Sequence, residues 1–127
     1  MTLDRDAFFR SVIERFDLMK KTVDFKSSYL SGDIQGIRET EEEEFRKWFL
    51  SVLDERVVHG QVEATGKEFI VDLLTRSAEG EGERAMRRRM LRVLSLFTDD
   101  EVSRIFGPAV LRRVRRNRQD RRGKGRE

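Results

Sequence analysis

Four apolar residues, Phe9, Phe16, Val23 and Leu30, recur at seven-residue intervals near the start of the chain, with Val12 and Met19 between them at spacings of three and four. A stripe of that period runs along one face of a helix and is incompatible with a strand, whose side chains change face at every residue. The spacing therefore predicts a long first helix. Phe8, Ile13 and Phe25 widen the stripe beyond a two-stranded seam, so the helix is expected to pack on more than one neighbour. Ser31-Gly32-Asp33 is expected to end it, because glycine tolerates the left-handed conformation of a helix C-terminus.

Helical spacing continues downstream. Thr40 and Glu43 have the separation of a capping box, ahead of an apolar face made by Phe45, Trp48, Phe49, Val52, Leu53 and Val57. A helix beginning there places Glu41 to Glu44 in its first turn, where the dipole favours negative charge. Ile34 and Ile37 could extend it backwards, with Gly36 as an interruption, and His59-Gly60 closes the segment. Thr65 with Glu68 repeats the box before Phe69, Ile70, Leu73 and Leu74. Glu79 to Gly82 reads as a flexible break, after which Met86, Met90, Val93, Leu94 and Phe97 mark a fourth helix. A third box, Thr98 with Glu101, opens a short helix through Val102, Ile105 and Phe106 that stops at Gly107; Pro108 suits the first position of the next helix, expected to reach about Asn117. Val57-Val58 and Val62 lack alternation, so no strand is predicted.

These elements predict an all-α fold: a single small helical domain of about five helices over residues 1–117, with a long N-terminal antiparallel helical hairpin, shorter C-terminal helices, and a basic, disordered arginine-rich tail at 118–127. A chain of 127 residues suits one core, and 37% apolar against 40% charged residues suits a helical protein with much surface. The absence of cysteine removes disulfides and thiolate metal sites. The N-terminal residues are charged within their first turn and hold no apolar run long enough for a signal peptide or a span. A cytoplasmic location is therefore expected and a membrane partner is disfavoured.

Few residues suit chemistry. His59 is the single histidine; Glu55 lies one turn before it, but a dinuclear carboxylate site needs two Glu-x-x-His pairs. Gly60 to Lys67 fails as a phosphate-binding loop: the glycine spacing is one residue too long, Glu68 stands where Ser or Thr must bind magnesium, and no strand leads in. Consecutive glutamates at 41–44 splay around a helix and cannot converge on one ion. Trp48 with Phe45 and Phe49 could stack bases, although their spacing makes them core first. Val102, Ser103, Phe106 and Gly107 fit half of a helix-turn-helix, but Arg113 and Arg116 fall where its second helix needs apolar residues. No catalytic, cofactor or metal site is expected, and the chain is not expected to be an enzyme.

Charge is the stronger signal. Residues 1–82 carry 12 basic and 18 acidic side chains, whereas 83–127 carry 15 and 6. The leading expectation is a non-enzymatic interaction or assembly module that self-associates, as a homo-oligomer, or docks on a protein partner through apolar helix faces. The alternative is sequence-nonspecific binding of DNA or RNA through the arginine-rich C-terminal third. Its candidate residues are Arg84, Arg87, Arg88, Arg92, Arg112, Arg113, Arg115, Arg116, Arg118, Arg121 and Arg122.

Overall fold

A computed structural model describes residues 3–29 and 33–124, the side chains of 122–124 excepted. Among them are six helices and three short strands, so the chain is predominantly helical as expected. It divides into two compact units, Met1–Glu63 and Ala64–Glu127, where the sequence predicts one domain.

In the first unit α1 (Arg5–Tyr29) and α2 (Ile34–Val52) form the expected hairpin. α1 buries Phe8, Val12, Ile13, Phe16, Met19 and Val23, so Phe8 rather than Phe9 leads the stripe; Leu30, Ser31 and Gly32 lie outside the described residues. α2 contributes Phe45 and Phe49. Phe16 meets Phe45 edge-on at 5.6 Å and Phe45 stacks on Phe49 at 6.0 Å, both favoured aromatic geometries.

α2 does not begin at Thr40. Asp33 is its N-cap and accepts the Gly36 amide at 2.8 Å, while the Thr40 hydroxyl, now inside the helix, donates to the Gly36 carbonyl. Glu41 to Glu44 consequently stand beyond the first turn, and the dipole is not what holds them. Glu41 pairs with Lys26 of α1, Glu42 with Arg46 and Glu43 with Lys47. Gly36, an interruption by propensity, is required by the cap: a Cβ there would collide with the Asp33 carboxylate. Asp33→Ala should cost about 1 kcal/mol. Gly36→Ala should fail to deliver the gain of roughly 1 kcal/mol that helix propensity alone assigns. Thermal denaturation of the two variants checks both.

The expectation of no strand is corrected. β1 (Leu3–Asp4), β2 (Arg56–His59) and β3 (Val62–Thr65) form a small sheet in that order, with β1 parallel to β2 and Leu3 opposite Val57. Val57 is therefore a strand residue and not part of α2's face. Gly60 at φ 65° with Gln61 makes the two-residue turn between β2 and β3, a position where glycine is favoured at the first site of a hairpin.

The second unit holds α3 (Gly66–Thr75), α4 (Glu81–Leu94), α5 (Asp99–Phe106) and α6 (Pro108–Lys124). The Thr65–Glu68 and Thr98–Glu101 capping boxes are both formed. The break at Glu79–Gly82 is shorter than expected, since α4 starts at Glu81 after Gly80 at φ 90°. α6 packs on α3, α4 and α5 and buries Val110 and Val114. It continues to Lys124, past the expected helix end at Asn117, and residues 125–127 lie outside the described residues.

Candidate nucleic-acid interface

The structure sorts the candidate arginines by what their side chains touch. Two are bound into the fold. Arg87 donates to the carbonyls of Leu73 and Arg76, closing the C-terminal end of α3, where helical carbonyls have no partner of their own. Arg118 donates to Asp99 and to the carbonyls of Ser95 and Phe97, closing the turn that ends α4. Both side chains hold helix ends within the fold. Arg118→Ala leaves the Ser95 and Phe97 carbonyls without this donor and takes one of two arginine partners from Asp99, and should destabilise the fold by about 1–3 kcal/mol, read from a denaturant titration.

Two more are engaged at the surface. Arg84 pairs with Glu81 at 3.2 Å and Arg115 with Asp99 at 3.4 Å, exposed pairs of small energetic value that a polyanion can displace.

Arg112, Arg113 and Arg116 come together. With Thr75 and Ala109 they line a cleft of about 250 Å³ between the end of α3 and the first turns of α6. Among the described residues no carboxylate lines that cleft, and none of the three makes an ion pair with one. α6 presents them because Val110 and Val114 take the buried side of the helix. Arg112 and Arg116, one turn apart, then fall on the solvent side, and Arg113 is half-buried at the border. Arg113 also lies close enough to Arg87 to act on it: the Arg87 guanidinium has its pKa lowered, first by burial and then by the charge of Arg113, with Glu83 opposing. On α4, Arg88 and Arg92 are exposed and one turn apart. Arg121 is exposed on α6, and the Arg122 side chain lies outside what is described.

α5 and α6 are joined by Gly107 alone, at φ 96°. A helix-turn-helix uses a turn of three or four residues, so this pair is an ordinary helix junction.

Elsewhere, the Trp48 ring is covered by the Arg15 guanidinium at 5.1 Å, which leaves it poorly placed to stack a base. Leu18, Phe25 and Tyr29 lie exposed along one side of α1 at 57%, 63% and 76% of their surface, and Phe25 and Tyr29 touch each other. Helical spacing sets these residues beside the buried stripe, so Phe25, expected in the core, is a surface residue. No described helix is long and apolar enough to cross a membrane, and the described residues include no cluster of three or more His, Cys, Asp or Glu able to hold a metal.

No protein-family model matches the chain, and no curated protein or solved structure does.

Proposed function

We propose that the protein is a polyanion-binding module that holds nucleic acid without sequence preference, through the arginines of α6 with support from Arg88 and Arg92 of α4. One observation carries this reading: Arg112, Arg113 and Arg116 line one cleft that has no carboxylate among its described residues. Three guanidinium groups lining one cleft favour an anion there, and their planar forks match phosphate oxygens. The opposite use of the arginines, docking on the glutamates at 41–44, loses support because three of those glutamates already have lysine or arginine partners within the first unit. The test is fluorescence anisotropy of labelled single-stranded and duplex oligonucleotides with the full chain. Binding to both, weakening steeply with salt, is expected; no binding at low ionic strength overturns the proposal.

A second reading, self-association or docking through an apolar helix face, is favoured by the exposed Leu18, Phe25 and Tyr29. Three large apolar side chains on one side of a helix form the kind of patch that a partner covers. Light scattering across a concentration series decides on self-association. A mass that rises with concentration supports it, and a constant monomer mass counts against it. The two readings are compatible, since the surfaces are made by different residues.

A further inference from the structure

The cleft has a preference built into its chemistry. Its lining includes three arginines within five consecutive residues of α6 and, among the described residues, no carboxylate. The C-terminal end of α3 adjoins the cleft, with Thr75 its last helical residue and Asp72, one turn earlier, paired with Arg76. A helix terminus carries about half an elementary charge. Arg87 already satisfies two of the carbonyls there, so that end subtracts little from the three formal charges of Arg112, Arg113 and Arg116. The Thr75 hydroxyl directs its proton to the Val71 carbonyl at 2.7 Å, leaving the arginines as the donors of the site.

Phosphodiesters and phosphomonoesters fit such a donor set differently. A diester in a nucleic-acid backbone has one negative charge and two non-bridging oxygens. A monoester carries roughly −1.5 to −2 at neutral pH and offers three terminal oxygens. Three terminal oxygens give three guanidinium forks more acceptor sites than two, and the second charge strengthens the attraction to all three. Diester contacts fall to Arg88 and Arg92 of α4, an exposed pair one turn apart.

We infer that the Thr75–Ala109–Arg112–Arg113–Arg116 cleft is a phosphomonoester site, and that the protein engages nucleic acid at a phosphorylated strand end. The nucleic-acid source of the ligand rests on the function proposed above; the monoester chemistry of the cleft does not.

The experiment compares one single-stranded oligonucleotide made with a terminal 5′-phosphate, with a terminal 3′-phosphate and with neither, bound to the full-length protein at fixed ionic strength. A phosphorylated end should bind about tenfold more tightly, the value of one added charge-assisted hydrogen bond. Arg112→Gln with Arg116→Gln should abolish that ratio. Arg88→Gln with Arg92→Gln should weaken all three ligands equally and preserve it. All four positions are exposed, and circular dichroism with a melting curve confirms that each variant is folded. Equal affinity for the three oligonucleotides, or a ratio that survives the α6 substitutions, overturns the inference while leaving backbone binding intact. If no oligonucleotide binds, inorganic phosphate decides the remainder by phosphorus-31 line broadening. Broadening that the α6 variant removes keeps the cleft as a site for a small phosphate and rejects nucleic acid as the source. No broadening rejects the site altogether.

Discussion

Replacing Arg112, Arg113 and Arg116 together by glutamine should lower oligonucleotide affinity on the order of 1,000-fold at moderate salt, taking about 1.4 kcal/mol, or tenfold, for each charge-assisted hydrogen bond to phosphate that is removed. The same change should flatten the salt dependence, because each phosphate neutralised contributes about 0.7–0.9 to the slope of log affinity against log salt, or roughly 2–3 for three of them. Stability should hold or rise slightly, since the variant removes like charges that crowd one cleft and breaks no ion pair with a carboxylate. Arg87→Gln with Arg118→Gln is the informative contrast. Those side chains hold the ends of α3 and α4, so this pair should lower the melting temperature and leave the salt slope of the folded protein almost unchanged. Were the two variants to behave alike, the separation of structural from binding arginines would be wrong. Truncating the chain is a poorer test than substitution: cutting at Gly107 removes Val110 and Val114 from the core of the second unit.

The largest effect on stability is expected at Phe49. It is fully buried and stacks on Phe45, which in turn meets Phe16 of α1, so one side chain joins the two helices of the hairpin through a run of rings. Phe49→Ala removes the ring and leaves a cavity that two rigid helices cannot close, at a cost of about 3–5 kcal/mol. Small domains have only roughly 5–15 kcal/mol in total, so the variant should lose much of its stability. Phe25→Ala is the control: that ring is 63% exposed, and its removal should change the chemical-denaturation midpoint little. Equal losses at the two positions would contradict the assignment of Phe49 to the core and Phe25 to the surface.

Helices were legible in the sequence wherever a cap and a stripe agreed. Thr65–Glu68 and Thr98–Glu101 each precede an apolar run, and Gly107-Pro108 combines a left-handed stop with a natural first helical residue. At α2 two caps competed. Asp33 prevails over Thr40 because starting there continues the helix through the half-buried Ile37, and Gly36 gives the aspartate room. The strands were illegible for a different reason. β2 is four residues long, and one of its partners, Leu3–Asp4, is more than fifty residues away in the chain, so no local period announces it.

The site was half legible. Composition located the arginines, but not their division of labour. A signal for part of it was present: Arg118 continues the four-residue series of Val110 and Val114, and Arg87 precedes Leu91 by four and Leu94 by seven. Both arginines therefore start on the core side of their helices and reach back to helix ends. That Arg113 shares a cleft with Arg112 and Arg116 depends on where α3 ends against α6, which is a tertiary fact.

Whether the α6 cleft is where nucleic acid binds can be read residue by residue in a nitrogen-15 titration that follows the arginine side-chain Nε–H signals while a short oligonucleotide is added. Arg112, Arg113 and Arg116 should shift first and furthest, Arg88 and Arg92 less, and Arg15, Arg87 and Arg118 hardly at all. Shifts spread evenly over the arginines of both units, or absent from α6, would contradict a binding site in that cleft.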